Sequence, residues 1–417
     1  MQILKGDGTM IREIEQIRSL FPYLAHVDRN GRPLIYFDSA ATSQKPVAVL
    51  EAVGHWLAEA NANVHRAIYG LAASATEHYE AGREAVRGLI NAASKDEIVL
   101  TSGTTASINL LANIYGQQYI RPGDEILLSE GEHHSNIVPW QMLCARTGAR
   151  LRYFPVREDG QWDLGAAERI LAEGKVKIVS AAHISNVLGI VNPVGELTVL
   201  AHSYGAVIHL DGAQGIVHEG IDVQETPCDF YSFSGHKLYA LTGTGVLYGR
   251  SSLLETLPPW MGGGEMVDTV TYERTTYAPV PLRFEAGTPN FIAAATLKPA
   301  IDFVTSVDVP QVRENEKQMT DYLTQELNAV DGLRIIGSGG KKVPLISFTV
   351  DGAHHSDIAT LLDKMGVAVR SGQMCSEPLL AKFGLTGAVR VSLAAYNTMQ
   401  ECEAFMAALR RVLTMLR

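Results

Sequence analysis

The sequence predicts an α/β protein, with a mostly parallel sheet covered by helices and a smaller α/β unit after it. Three observations carry that expectation. Between about residues 95 and 250, short apolar runs alternate with helix-length segments, the pattern of βαβ units. After about residue 290 the texture becomes helix-rich. At 417 residues the chain is too long for one ordinary core and long enough for two domains.

Six runs, at 96–100, 124–128, 151–154, 176–181, 206–210 and 230–233, read as strands. Each is apolar enough to be covered on both faces. Residues 246–248 continue as a further strand, and 106–115 and 136–147 have helical length and period. Later come a strand at 344–350, a helix at 357–365, strands at 367–370 and 388–392, and a final helix. In that helix Cys402, Phe405, Met406, Leu409, Val412, Leu413 and Leu416 share one face, which marks a docked amphipathic helix. No internal repeat or low-complexity linker interrupts the chain.

Composition narrows the function. Hydrophobic residues make up 46% and charged residues 19%, as in a folded globular protein rather than a disordered one. A net charge of -10 argues against nucleic acid as a partner, because that binding needs basic surface. Small anionic ligands remain open, since one pocket can be positive on an acidic protein. The first twenty residues carry charges throughout and lack the apolar core of a signal peptide. No run approaches the roughly 20 apolar residues of a membrane helix. Cys144, Cys228, Cys375 and Cys402 have neither metal-type nor paired spacing. A disulfide framework is not expected in so large a chain, so the expected compartment is the cytoplasm.

In open α/β sheets, ligands bind beyond the carboxyl ends of the strands. The first strand is followed by Thr101-Ser-Gly-Thr-Thr105 and a helix. Such a run either holds phosphate at a helix start or is an ordinary cap, with Thr105 as the capping residue. Next comes Glu130-Gly-Glu-His-His-Ser-Asn136, whose His pair reads as a metal site, a surface loop or a stacking platform. Adjacent side chains rarely face one ion, so metal is the weakest of the three. His183-Ile-Ser-Asn-Val-Leu-Gly189, Asp211-Gly-Ala-Gln214 and Ser234-Gly-His-Lys237 follow the later strands. An Asp at the end of a buried strand is costly unless it meets a cation or donors.

One scheme uses all of these residues. Pyridoxal 5'-phosphate (PLP) needs an amine for its Schiff base, a carboxylate beside its pyridine nitrogen and donors for its phosphate. Lys237, Asp211 and the Gly/Ser/Thr loop supply them. Lys237 must be neutral to attack an aldehyde, which burial and nearby positive charge promote. Gly243-Thr-Gly245 with Gly249 imitates a dinucleotide fingerprint, but it leads into a strand instead of opening a helix. No run ends in Gly-Lys-Ser/Thr, which excludes a P-loop.

Five ordered motifs resemble the group II (Suf/Csd-type) cysteine desulfurases, fold-type I PLP enzymes of the class-V aminotransferase family. They are Glu132-His-His-Ser-Asn136, Asp211-Gly-Ala-Gln214, Ser234-Gly-His-Lys237, Gly287-Thr-Pro-Asn290 and Arg370-Ser-Gly-Gln-Met-Cys375. The similarity runs from Tyr36-Phe-Asp-Ser-Ala-Ala41 to Tyr396-Asn-Thr398. It implies a large PLP-binding domain with a mostly parallel seven-stranded sheet over 31–290. A small domain of 1–30 plus 291–417 would then carry the catalytic cysteine loop.

The resemblance also implies roles. Lys237 holds the cofactor and acts as acid and base, Asp211 pairs with the pyridine nitrogen, and Gln214 meets the ring hydroxyl. His133 stacks on the ring. Thr104, Thr105, Ser234 and His236 bind the phosphate, and Thr288 reaches the phosphate of the other subunit of a homodimer. Asn186, Arg370 and Arg390 serve the substrate amino acid, Arg390 by a bidentate carboxylate contact. Cys375 attacks the sulfur of L-cysteine, giving alanine and a persulfide destined for a sulfur-acceptor protein and iron–sulfur cluster assembly.

The local reading of Cys375 agrees, because a short Ser-Gly loop after a strand exposes a thiol beside cations. Cys144 and Cys402 read as core residues on apolar helical faces. The chain departs from the family at Ala240-Leu241, where Gly-Pro is usual, and at Met374, where a histidine is usual. Gln373 suits the Csd branch. Selenocysteine or cysteine sulfinate as substrate, an aminotransferase and an inert sulfur-transfer scaffold are the alternatives.

Overall fold

A computed structural model describes residues 10–27, 31–65 and 68–417. Seven strands form the central sheet: β1 (Ile98–Thr101), β2 (Glu125–Ser129), β3 (Arg150–Phe154), β4 (Val176–Ala182), β5 (Val207–Asp211), β6 (Phe230–Ser234) and β7 (Gly245–Gly249). Their order across the sheet is β1-β7-β6-β5-β4-β2-β3. The neighbours from β6 to β3 pair in parallel. β7 alone is reversed, lying antiparallel to both β6 and β1. Six strands therefore end at one edge of the sheet.

The expected strands form, with local departures. Asp96 and Glu97 belong to a 3-10 turn, Lys95–Glu97, in which Ser94 and Glu97 cap one another reciprocally. β3 is not covered on both faces as expected. It is the outermost strand, only Phe154 in it is buried, and Arg152 on it pairs with Glu125 at 3.0 Å and Glu173 at 3.1 Å. Charged side chains of this kind keep a sheet edge from recruiting another strand. The helix after β1, Thr104–Tyr119, is capped by Gly103 at φ 147 and not by Thr105. Only glycine adopts that angle readily.

A second sheet is antiparallel throughout. Its strands are β8 (Leu333–Ile335), β9 (Leu345–Val350), β10 (Arg370–Gly372) and β11 (Ala388–Ser392), in the order β8-β9-β11-β10. The single strand expected at 367–370 is divided. Val367–Ala368 pairs with Ile35–Tyr36, whereas β10 pairs with β11. Hydrophobic pattern does not encode this change of partner.

The final helix, Met399–Leu416, opens with a Thr398/Glu401 capping box. It buries Cys402, Phe405, Met406, Leu409, Val412 and Leu413 against Phe348 and Val389 of the second sheet. Leu416, expected on that face, is only partly buried. The helix Ile14–Ser19 joins the two sheets. Ile17 and Phe21 enter the core of the first, while Arg18 reaches Glu401 at 2.9 Å. All four cysteines are free thiols, and only Cys375 is exposed. Among the described residues no helix is long and apolar enough to cross a membrane.

Candidate active site

The shared direction of six strands opens their terminal loops onto one cavity of about 300 Å³. Every residue the sequence singled out for the site lines it except Thr288, which is exposed outside it. The central sheet contributes one wall, and Arg370, Cys375 and Arg390 contribute the other.

One end of the cavity suits an anion. Ser234 ends β6, and its Oγ lies 2.8 Å from both the backbone N and the Oγ1 of Thr104. Thr105, exposed to the cavity, is the second residue of the same helix. The close approach also explains the misleading glycines after Lys237. A Cβ on Gly245 would come within 2.4 Å of the Gly103 backbone. Nearby, His236 keeps a buried Nδ1 without a hydrogen-bond partner. Burial, with Lys237 and Lys45 nearby, lowers its pKa to about 4, so the ring is neutral. Its carbonyl is held by Lys45 Nζ at 2.8 Å and Ser43 Oγ at 3.0 Å.

Lys237 follows directly. Burial lowers its pKa to about 8, helped by Arg390 and opposed by Asp211 and Cys375. Such a lysine reaches its neutral form, which a nucleophilic amine needs, far nearer neutral pH than an ordinary lysine does. Asp211 ends β5, and its Oδ1 accepts from Ala213 N at 2.9 Å. Burial raises the pKa of this carboxyl, while the Ala213 N–H and Lys237 oppose the rise. Gln214 commits Nε2 to the carbonyl of Ala40 at 2.8 Å, which leaves Oε1 for a ligand.

The His pair divides its work. His133 lines the cavity, and its Nδ1 accepts from Ser135 N at 3.1 Å, so the neutral ring carries its proton on Nε2. Burial lowers its pKa to about 4, with Lys237, His134 and Arg390 adding to the effect. His134 faces Glu377 instead, 3.3 Å from its backbone N. The two ring centroids are 6.2 Å apart and tilted by 47°, so the pair does not converge on an ion.

The opposite wall holds two cations on one carboxylate. Asp38 lies 2.7 Å from Arg370 and 3.2 Å from Arg390. Arg390 also donates to the carbonyl of Asn186 at 2.9 Å, and its buried Nε has no partner. The sequence analysis assigned no role to Asp38, although it lies inside a quoted motif. Its cations are 332 and 352 residues away, so no local pattern announces them.

Cys375 sits in a tense turn. Met374 and Cys375 are both left-handed, at φ 49 and 55, after Gly372 at φ 110. Two successive non-glycine residues there are strained and persist only when the surroundings hold them. Asn186 Nδ2 donates to the carbonyl of Met374 at 2.8 Å, and Ser376 Oγ donates to Asn186 Oδ1 at 3.1 Å. The backbone N of His134 donates to the carbonyl of Cys375 at 2.7 Å. Asn186 therefore holds the cysteine loop in this structure. At the other departure from the family, Leu241 N donates to Thr296 Oγ1 at 3.1 Å, a bond that proline could not make.

This donor set fits PLP: a neutral-prone amine, a buried carboxylate, a stacking imidazole and an anion cradle with an unpaired buried imidazole nitrogen. Comparison with known proteins agrees. The family described as Aminotransferase class-V matches residues 35–405. The chain is 44% identical to a probable cysteine desulfurase of Vibrio cholerae, over 98% of this chain and all of that protein. It is 46% identical to a cysteine desulfurase of Synechococcus elongatus, over 98% of this chain and 65% of that protein. Among solved structures, the cysteine desulfurase CsdA (S-sulfonic acid) of Escherichia coli superposes with a TM-score of 0.89 at 39% identity, over 98% of this chain and all of that one. The chain belongs to the PLP-dependent aminotransferase class-V family, in its cysteine desulfurase group.

Proposed function

We propose that the protein is a PLP-dependent cysteine desulfurase that takes the sulfur of L-cysteine onto Cys375 and releases L-alanine. The observation that carries this reading is the opening of Lys237, Asp211, Arg390 and an exposed Cys375 into one cavity. Bound at Lys237, PLP supplies the electron sink for chemistry at the amino acid's α- and β-carbons. Arg390, steadied by Asp38 and the Asn186 carbonyl, orients the substrate by its carboxylate, with Arg370 beside it. Lys237 Nζ takes the proton from the substrate Cα. Cys375 Sγ attacks the substrate sulfur, so that an S–S bond forms as the Cβ–S bond breaks. The electron pair left on Cβ is protonated to the alanine methyl, and no outside oxidant or reductant is needed.

The rest of the reading follows from that persulfide. It must leave Cys375 before the next cycle, and a sulfur-acceptor protein with its own thiol removes it, supplying iron–sulfur cluster assembly. Thr288, exposed outside its own chain's cavity, serves the phosphate of the second subunit of a homodimer. In this reading the division into a cofactor-binding domain over 31–290 and a cysteine-loop domain of 1–30 with 291–417 is kept, with 1–9, 28–30, 66 and 67 lying outside the described residues. The enzyme works in the cytoplasm, without nucleic acid or membrane as partners.

Product analysis tests the reaction. The protein is supplied in turn with cysteine, cysteine sulfinate and selenocysteine, and alanine, keto acid and released sulfur or selenium are measured. Alanine with sulfide from cysteine is expected. A keto acid without sulfide would make it an aminotransferase, and no turnover of any substrate would leave an inert scaffold.

A further inference from the structure

Behind the cavity lies a row of polar side chains with no exposed surface: Glu132, Asn136, Ser180, His209 and Ser232. They form one continuous hydrogen-bond chain, and chemistry fixes its direction. Trp140 Nε1, which can only donate, lies 3.1 Å from Asn136 Oδ1. Asn136 therefore turns its NH₂ to Glu132 Oε2, at 2.7 Å. Ser180 Oγ is 2.6 Å from the same Asn136 oxygen and must spend its proton there. His209 Nδ1, 2.7 Å from Ser180 Oγ, must then donate to it. His209 Nε2 in turn accepts from Ser232 Oγ at 2.6 Å. Burial lowers the pKa of His209 to about 3, which keeps the ring neutral, as a one-way relay requires.

Every bond in the chain points toward Glu132. Its carboxylate also accepts from Ser129 Oγ and from Ala182 N at 3.1 Å. Ala182 is paired in register with Asp211, and Ser180 with His209. Ala182, Asp211 and Ser234 line the cavity. The polar row is offset from them by two residues along β4, β5 and β6, so it shares their face of the sheet. Glu132 immediately precedes His133, and Asn136 closes the same turn.

We infer that Glu132 is a positioning residue for the cofactor: as terminal acceptor of the chain, it locks the turn that presents His133 and fixes the side chains behind Asp211. The inference rests on the PLP reading of the cavity. Among titratable groups, His133 adjoins Glu132 on its own turn, and His209 on β5 reaches it through Ser180 and Asn136. Burial, and after it Asp211 at the end of β5, raises the Glu132 pKa to about 7, against its hydrogen bonds to Ser129, Asn136 and Ala182. Above that pH its anion favours protonated groups in the cavity, and below it that influence fades.

Glu132→Gln changes no volume but turns an NH₂ onto a fixed donor, either the Asn136 NH₂ or the Ala182 N–H. Asn136 cannot turn to relieve this, because Trp140 can only donate. Adding Asn136→Asp restores a complete chain with the anion moved one residue along. The purified proteins are titrated with PLP, following the visible absorbance of the bound cofactor and its pH titration. Glu132→Gln is expected to weaken PLP binding by about 10-fold or more, as for a lost hydrogen bond to a charged group. The visible band should titrate at lower pH than in wild type, with the difference growing above neutrality. The double variant should recover most of the affinity. Ser232→Ala removes only the first donor, keeps the test open if the Gln variant does not fold, and should weaken PLP binding by about threefold or more.

A Glu132→Gln protein with a lower melting temperature but unchanged PLP affinity and pH titration overturns the inference. So does a folded double variant that binds no better than the single one, or a Ser232→Ala protein that binds as wild type does. Failure of wild type to bind PLP at Lys237 would instead overturn the reading of the cavity itself.

Discussion

Lys237 and Cys375 face the same cavity from supports of different kinds. Lys237 follows β6, which is buried along its length between two sheet neighbours. Asp211, Ser234 and Thr104 are likewise set at or just beyond strand ends. Cys375 follows β10, three residues long and at the edge of the second sheet. Its left-handed turn is held by Asn186 and His134, which come from loops of the other sheet. The contrast suits the two tasks we propose: a cofactor at Lys237 would stay in one place, whereas a thiol at Cys375 that received sulfur would also have to hand it on.

That comparison can be broken first on its rigid side. Lys237→Ala should lose borohydride-trappable cofactor altogether, with activity reduced by about 10⁴-fold or more, the upper range for one positioned acid–base group. Peptide mapping of the reduced wild-type protein checks the site, and an adduct on another lysine refutes it. Arg390→Ala should weaken amino-acid binding by about 1.5–3 kcal/mol, the value of a hydrogen bond to a charged group. Spectral titration with substrate measures this, and unchanged affinity rules Arg390 out as the carboxylate clamp.

Acidity offers a subtler test of the same side. Because burial lowers the Lys237 pKa to about 8, PLP capture by the apoprotein should quicken about tenfold per pH unit below 8 and level off above it. The sign follows from the neutral amine being the nucleophile. A rate still climbing steeply near pH 10 would mean an unperturbed lysine. The smallest effect belongs to the held loop. Asn186→Ala removes two hydrogen bonds to the cysteine turn and should raise amide exchange at 373–377 by about fivefold, near 1 kcal/mol. Exchange around Lys237 should not change; a shift there as well would show that the two supports are not independent.

The two sides were also unequally legible in the sequence. A strand-end rule found Asp211, Ser234 and Lys237, because apolar runs mark where buried strands stop. The sheet itself was readable for the same reason, apart from the exposed edge of β3. At Cys375 the apolar run 367–370 concealed a change of partner, and the left-handed turn depends on the Asn186 side chain, nearly 190 residues away. Only its short Ser-Gly loop and the family resemblance pointed there. Asp38 escaped notice because its arginines meet it only in the fold. Glu132 was quoted within a motif and given no task, since a charged residue in a loop gives no sign from sequence that it is wholly buried.

The central claim, that cofactor chemistry and sulfur capture reside on separate supports, is tested most directly by one turnover of Cys375→Ser with L-cysteine. Absorbance follows the bound cofactor while alanine and protein-bound sulfur are quantified. The variant should bind PLP and respond spectrally to cysteine as wild type does, yet release no alanine and carry no persulfide. Wild type should yield one alanine and one persulfide, on Cys375, for each occupied site. Alanine formed in full by the Ser variant, or a persulfide mapped to Cys144, Cys228 or Cys402, would contradict the claim.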